Sequence, residues 1–178
     1  YFSRVWDKET TRSAFTCFKQ NWVIHESANL SETMIEKFLT DLENDHQKKS
    51  VIIFASTLAA ITKYIETKRG KTTAQVESFI TLSESLDPTT KAMAKEQFGC
   101  AVISRYSDQE LGIMAQQECD SDDFLLNIGS YFFEFLDLDE DKPVEPGKPG
   151  RIVVTDLFNR SMPLIRYDTG DIAIQKPT

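Results

Sequence analysis

The sequence has few cysteines, and their arrangement argues against a disulfide framework. Cys17, Cys100 and Cys119 are odd in number and form no CxxC pair. This usage fits a reducing compartment and predicts a cytoplasmic protein. His25 and His46 lie apart from the cysteines in the sequence. Surface histidines and buried thiols are therefore the favoured interpretation, and a zinc site is the alternative.

The chain also lacks a long apolar run and an excess of basic residues. Its most apolar stretch, 51–61, is interrupted by Ser56 and Thr57 and is too short to span a bilayer. The formal net charge is -8, whereas duplex nucleic acid and anionic membranes require a basic face. We therefore expect no nucleic-acid partner and no membrane partner. A small anionic ligand is still compatible, because a few backbone amides can bind a phosphate.

Strands and helices alternate through the first part of the chain. Apolar residues at helical spacing predict a core-packing helix over 34–42, and Asn29 with Glu32 has capping-box spacing. Asp87-Pro88 predicts the start of another helix, which ends near Gly99. The remaining predicted elements are a helix ending at Gly70 and short strands at 21–24, 51–54, 79–82 and 100–103. This alternation predicts a mostly parallel α/β sheet.

The pattern changes after about Leu111. A charged loop rich in proline and glycine, 139–150, separates predicted strands at 125–138 (one or two strands), 151–155, 164–167 and 172–174. These strands predict an antiparallel β meander. The predicted fold class is therefore α/β, with a mostly parallel α/β layer over 1–110 followed by an antiparallel β subdomain over 111–178.

The segment from Met162 to Asp171 is predicted to be a strand that ends in a turn. Pro163 favours extended geometry before it, and Gly170 allows a sharp turn at the strand end. A carboxylate held there, that of Asp171, can accept hydrogen bonds from both hydroxyls of a ribose. The alternative is that Asp171 only caps a surface turn.

A second informative segment, Ser104–Gly112, follows the strand predicted at 100–103. Ligands of open α/β sheets bind beyond the carboxyl ends of the strands. Tyr106 offers a flat face to a base, and Glu110 offers a hard carboxylate to a cation near phosphates. The alternative is a solvated loop with one aromatic side chain packed down.

Together the two segments resemble a known family. A strand-end Tyr-x-x-x-Glu, a β region and then Pro-Leu-Ile-Arg-Tyr-x-Thr-Gly-Asp are similar to adenylate-forming enzymes, the acyl-CoA synthetase superfamily. The detail is closer to the phenylacetate–CoA ligase and capsular-polysaccharide type, through Ser83–Pro88, Gln117–Cys119 and Gly150–Leu157. The resemblance implies the second half of that family's large N-terminal domain.

The resemblance implies an ATP- and Mg²⁺-dependent ligase that activates a small carboxylic acid as an acyl-adenylate and transfers the acyl group to a thiol, usually coenzyme A. By position in the family's motifs, Tyr106 would flank the adenine, Glu110 would ligate Mg²⁺, and Asp171 would bind the ribose hydroxyls. No covalent nucleophile is needed, so the cysteines are interpreted as structural. Arg166 joins Glu110 as a candidate for the catalytic machinery, as an ion-pair partner that supports the strand end with Tyr167.

The other implied nucleotide-binding residues lie in two short segments. Ser83 and Glu84 would lie beside the adenine and the acyl pocket, and Ser107, Asp108 and Gln109 would complete the loop before Glu110. Two of them depart from the family pattern. Ser107 stands where glycine is usual, which requires a negative φ there. Gln109 replaces a small hydroxyl residue, which predicts weak adenylation or altered geometry.

The family's phosphate loop with its lysine, and its C-terminal domain with the catalytic lysine, are absent from the sequence. Both ends of the chain look cut. The expected partners are therefore the missing N- and C-terminal parts of its own chain, and the fragment alone is predicted to be inactive. Two alternatives are open: a non-catalytic relative that serves as a nucleotide-binding or scaffold module, and an unrelated α/β ligand-binding or interaction domain whose motif match is accidental.

Overall fold

Residues 2–6, 13–26, 30–119 and 121–176 are described by a computed structural model. They belong to two compact units, one formed by Tyr1–Ser107 with Ala115–Leu125 and the other by Asp108–Met114 with Leu126–Thr178. Within the described ranges, no helix combines the length and the apolar character needed to cross a membrane.

A seven-stranded sheet organises the first unit. In chain order its strands are β1 (Phe2–Trp6), β2 (Trp22–Glu26), β3 (Ser50–Phe54), β4 (Ser78–Leu82), β5 (Ala101–Asp108), β6 (Gly112–Gln117) and β7 (Phe124–Leu126). Their order across the sheet is β2-β1-β3-β4-β5-β6-β7. The β1–β2, β1–β3, β3–β4 and β4–β5 pairs are all parallel. The predicted mostly parallel α/β layer is confirmed.

The helices of this unit are α1 (Ala14–Gln20), α2 (Glu32–Asn44), α3 (Ala55–Tyr64), which continues as a π-helical turn over Ile65–Arg69, and α4 (Pro88–Phe98). The apolar stripe predicted for α2 is confirmed, because Ile35, Phe38, Leu39 and Leu42 are buried. The proposed cap Asn29 lies outside the described residues, and the predicted capping box is wrong, because α2 begins at Glu32 and its N-cap is Ser31.

Local signals set the helix ends in four places. Ser31 caps α2 by accepting a hydrogen bond from the Met34 amide. Asp87 caps α4 by accepting the Thr89 amide at 2.9 Å, and Gly99 ends that helix at φ 63°. Gly70 ends the π-helical turn at φ 81°, a backbone conformation that residues other than glycine rarely adopt.

The core of the first unit lies between the sheet and α2, α3 and α4. One face of β3, β4 and β5 contributes Val51, Ile53, Phe79 and Val102. The helices contribute Leu39, Leu42, Leu58, Ile61, Ile65 and Ala94 among others. Because β4 and β5 are buried on this face, the core fixes the position of their carboxyl ends at the edge of the sheet.

The second unit contains a three-stranded antiparallel sheet. Its strands are β8 (Tyr131–Leu136), β9 (Pro149–Asp156) and β10 (Tyr167–Ile174), in the order β10-β9-β8. Both pairs are antiparallel, which confirms the predicted β meander.

Two predicted strand boundaries are wrong. The strand expected at 100–103 continues to Asp108, and the strand expected at 164–167 starts only at Tyr167. Arg166 has φ 51°, which interrupts an extended chain immediately before β10. Leu164 is held by its carbonyl, which accepts the Asp156 amide at 2.9 Å, rather than by strand pairing.

Candidate functional site

Four candidate residues lie at the carboxyl ends of β4 and β5 in the first unit. The parallel register places Thr81 beside Ser104. Ser83 and Tyr106 each lie two residues further along, so both are at the same edge of the sheet. Ser83 has φ 65° and is exposed, whereas Tyr106 is half-buried. A non-glycine residue in the left-handed region is held there by its surroundings, and such residues often occur at functional sites.

Glu84 is engaged with the N-terminus of α3. One carboxylate oxygen accepts the Ser56 amide at 2.7 Å, and the other accepts the Ser56 hydroxyl at 3.0 Å. A carboxylate is favourable at a helix N-terminus, because it satisfies an unpaired amide and the positive end of the helix dipole. This contact fixes the turn after β4 relative to α3.

Ser107 fits its position although glycine is usual there in the resembling family. It lies within β5, and the only described non-glycine residues with positive φ are Asn21, Ser83 and Arg166. The φ of Ser107 is therefore negative, so a side chain is accommodated without backbone strain. The negative φ that the sequence analysis required for a serine at this position is therefore present.

Asp108, Gln109 and Glu110 form the tip of the β5–β6 hairpin, in the second unit. The Asp108 carboxylate accepts the Leu111 amide at 2.5 Å, and the Leu111 carbonyl accepts the hydroxyl of Tyr131. These two bonds fix the turn at both ends of its backbone. Gln109 and Glu110 are exposed at the tip.

The acidic side chains of the hairpin tip change the pKa of Tyr167, the first residue of β10. The pKa of Tyr167 is raised, first by the charge of Glu110, then by burial and by Asp108. The start of β10 therefore lies in the negative field of the hairpin tip. Among the described residues no group of three or more His, Cys, Asp or Glu side chains is arranged to hold a metal ion.

Arg166 forms an ion pair with Glu134, as the family resemblance implied for it. Its Nε donates to the Glu134 carboxylate at 3.1 Å, and its amide donates to the Thr155 hydroxyl at 3.0 Å. Arg166 thereby connects the entrance of β10 to both β8 and β9.

Asp171 lies inside β10 rather than in a turn at a strand end, which corrects the predicted setting. Asp168 pairs with Val153 and Ile172 pairs with Arg151, so three residues of β10 lie opposite one residue of β9. Such an insertion is a β-bulge, and it re-aims the side chains that it carries. Gly170 has φ 77° at its centre, and Asp171 is exposed.

Sequence reasoning missed two residues that hold this bulge, Arg151 and Asp168. Arg151 donates to Asp168 at 2.5 Å, and Asp168 accepts the Gly170 amide at 3.0 Å. The signal was present for Asp168, because an aspartate two residues before a glycine is typical of a side-chain-stabilised turn. The pairing partner of Asp168 depends on strand register, which the sequence alone does not determine.

The candidates are divided between the two units. Ser83, Glu84, Tyr106 and Ser107 belong to the first unit, and Asp108, Gln109, Glu110, Arg166 and Asp171 belong to the second. Within each group, neighbouring strands or direct hydrogen bonds determine the positions.

No family model matches the chain, and no curated protein matches it. Its fold is shared by acyl-CoA ligases. An open conformation of 2-hydroxyisobutyryl-CoA ligase, in complex with 2-HIB-AMP and CoA, has a TM-score of 0.72 at 15% identity, covering 97% of this chain and 40% of that one. A long-chain-fatty-acid-CoA ligase from Archaeoglobus fulgidus has a TM-score of 0.66 at 11% identity, over 98% and 41%.

A third solved structure, MatB from Rhodopseudomonas palustris, has a TM-score of 0.65 at 18% identity, covering 98% of this chain and 38% of that one. At these identities the similarity establishes the fold. The chain spans less than half the length of each of these proteins.

Proposed function

We propose that this chain is part of an ATP-dependent ligase of the phenylacetate–CoA ligase type. The ligase forms an acyl-adenylate from ATP and a small carboxylic acid in the cytoplasm, and passes the acyl group to a thiol such as coenzyme A. One observation carries the proposal: the chain has the fold of a ligase solved with 2-HIB-AMP and CoA, and its sequence also contains the Tyr106, Glu110 and Asp171 motifs.

In this proposal, Tyr106 and Asp171 recognise the nucleoside. Tyr106 lies at the sheet edge shared with Ser83, where its ring can flank the adenine. Asp171 is exposed on a bulge fixed by backbone and side-chain hydrogen bonds. A rigid, exposed carboxylate suits the two hydroxyls of a ribose, because both hydroxyls donate to the same group.

Glu110 is the proposed Mg²⁺ ligand. It is exposed at the hairpin tip, and no described cation forms an ion pair with it. Magnesium binds one or two carboxylates together with substrate phosphates, so a single protein carboxylate suits it. A bound Mg²⁺ would neutralise phosphate charge during adenylyl transfer.

The remaining candidates act by holding the site. Glu84 fixes the turn after β4 through Ser56, and Asp108 closes the hairpin tip through the Leu111 amide. Arg166 fixes the entrance of β10 through Glu134, which supports a role in positioning rather than in bond making. We propose the division into 1–110 and 111–178 as the functional one.

Activity of the parent protein, a longer chain that contains this one, tests the proposal. Carboxylate-dependent ATP–pyrophosphate exchange is expected. Glu110→Gln should lower the turnover number, and Asp171→Asn should raise the KM for ATP about tenfold, because a charge-assisted hydrogen bond to ribose is lost. Asp139→Asn, at an exposed position in another loop, is the control and should change neither constant.

A non-catalytic scaffold or nucleotide-binding module is the second candidate function. Gln109 favours it, because an exposed amide replaces the small hydroxyl expected beside the phosphates. Calorimetry of the parent protein with ATP and Mg²⁺ separates the two functions. Binding together with exchange supports the ligase, binding without exchange supports the nucleotide-binding module, and no binding at millimolar ATP supports the scaffold.

A further inference from the structure

Arg151 and Asp168 lie beside the bulge that carries Asp171. Arg151 Nη1 donates to Asp168 Oδ2 at 2.5 Å, and the other oxygen, Asp168 Oδ1, accepts the Gly170 amide at 3.0 Å. Asp168 therefore links the neighbouring strand to the glycine at the centre of the bulge.

Arg151 itself is held by three acceptors. Besides Asp168, its Nε donates to the Asp137 carbonyl at 2.9 Å, and its Nη2 pairs with Asp141. Its side chain is only 19% exposed. A planar guanidinium bound on several edges is a rigid anchor, because each bond restricts the same plane.

The Gly170 amide lowers the pKa of Asp168, and Arg151 adds to this effect against the opposing effect of burial. The carboxylate is therefore ionised at neutral pH. Thr169 completes the bulge, since its hydroxyl donates to the Ile152 carbonyl at 3.1 Å and accepts the Asp171 amide at 3.2 Å.

We propose that Arg151 and Asp168 are positioning residues that hold the β10 bulge and thereby aim Asp171 at the ribose hydroxyls. The inference rests on the proposed role of Asp171 and adds to it the device that orients this side chain. The bulge places three residues opposite one and requires φ 77° at Gly170. Loss of the Asp168 acceptor releases the Gly170 amide and removes one of the hydrogen bonds that hold the bulge on which Asp171 lies.

Amide hydrogen exchange of the 178-residue chain tests the positioning directly. Asp168→Asn should accelerate exchange of the Gly170 amide about tenfold, because its charged acceptor is lost. Glu145→Gln is the matched control. It breaks an exposed ion pair with Lys148, 3.5 Å long, and should leave the exchange at Gly170 unchanged.

The ligand test compares adenosine with 2′,3′-dideoxyadenosine by NMR titration. We expect the wild-type chain to prefer adenosine and Asp171→Asn to remove that preference. Asp168→Asn should weaken adenosine binding about tenfold and leave dideoxyadenosine binding unchanged. General destabilisation would weaken both nucleosides equally. Arg151→Gln keeps the Asp168 carboxylate and should act in the same direction, so it serves if Asp168→Asn does not fold.

The outcomes distinguish the inference from the proposed function. If Asp171→Asn abolishes the preference for adenosine while Asp168→Asn and Arg151→Gln retain it, the positioning role is wrong and the ribose contact stands. If the wild-type chain does not distinguish the two nucleosides, the ribose contact of Asp171 is wrong, and the positioning role fails with it.

Discussion

Glu43 joins the end of α2 to the segment after the π-helical turn. Its carboxylate accepts hydrogen bonds from Arg69 Nη2 at 2.6 Å, the Thr72 hydroxyl at 2.9 Å and the Thr73 amide at 2.9 Å. Burial by itself raises the pKa of Glu43, but these donors together outweigh it, so the pKa lies below its ordinary value. The folded protein therefore favours the ionised form.

Glu43→Gln should lower the free energy of unfolding at pH 7 by about 2 kcal/mol, since bonds to a charged acceptor are weakened. The pKa is lower in the folded state, so the stabilisation is complete above the unfolded pKa of about 4.3 and is lost as the pH falls through the folded value. Urea denaturation should show that the difference in unfolding free energy between wild type and Glu43→Gln becomes smaller below about pH 5.

The control for this prediction is Glu66→Gln, which breaks an exposed pair with Lys63 and should cost less than about 0.5 kcal/mol. A gap between wild type and Glu43→Gln that stays constant down to pH 3 would contradict the assignment.

Cys100 and Cys119 differ in their exposure, since Cys100 is half-buried and Cys119 is exposed. Burial, partly opposed by a backbone hydrogen bond at Phe79, raises the pKa of Cys100 to about 11. Iodoacetamide at pH 8 should therefore label Cys119 at least about tenfold faster than Cys100, because the thiolate is the nucleophile. Peptide mass spectrometry measures both rates, and rapid labelling of Cys100 would refute its interpretation as a structural thiol.

Among the elements, α4 is tied to β6 and the following loop by a buried lysine. Lys91 is 8% exposed and donates to Gln117 Oε1 at 3.0 Å, the Ser121 carbonyl at 3.3 Å and the Asp122 carboxylate at 2.7 Å. Gln117 Oε1 also accepts the Ser104 amide at 3.1 Å, so this network reaches β5. It supports the strand that carries Tyr106.

Lys91→Met should destabilise the protein by about 2 kcal/mol, because three hydrogen bonds from the charged lysine are lost, one of them to the buried Gln117. Lys95→Met is the matched control on the same helix. Lys95 donates one bond, at 3.3 Å, to the exposed Cys119 carbonyl, and its loss should cost less than about 1 kcal/mol. Thermal unfolding of both variants makes the comparison, and equal shifts would exclude a special role for the Lys91 network.

Elements with local signals at both ends were predictable from the sequence. Asp87 and Gly99 delimit α4 by their own chemistry, so no tertiary information was needed. The start of β10 was not predictable in this way. Leu164 and Ile165 have strand propensity, but a hydrogen bond at Leu164 and a left-handed Arg166 delay the strand to Tyr167. Tertiary contacts override propensity there.

At the scale of the whole molecule, the sequence predicted which residues are candidates for function but not how they are held in place. The resemblance to adenylate-forming enzymes selected Tyr106, Glu110 and Asp171, and the fold is consistent with it. The bulge beneath Asp171 was not predicted, because it depends on the register of β10 against β9. Arg151 and Asp168 are 17 residues apart in the sequence, and only this register brings their charges into contact.

The isolated chain should not catalyse ATP–pyrophosphate exchange with any carboxylic acid. It spans 40% or so of the ligases that share its fold, and its sequence contains no Ser/Thr/Gly-rich phosphate loop with a lysine. Positioning of the phosphates provides most of the catalysis in such transfers. A radioactive exchange assay on the purified 178-residue chain checks this, and robust exchange would contradict the prediction.

The most direct test of the proposed nucleoside contacts is a residue-resolved NMR titration of the wild-type chain with adenosine, which needs no phosphate loop. We expect shifts at Tyr106 and at the Thr169–Asp171 bulge, with the bulge shifts lost when 2′,3′-dideoxyadenosine replaces adenosine. Shifts confined to other surfaces, or the same bulge shifts with both nucleosides, would contradict the assignment of Asp171 as the ribose ligand.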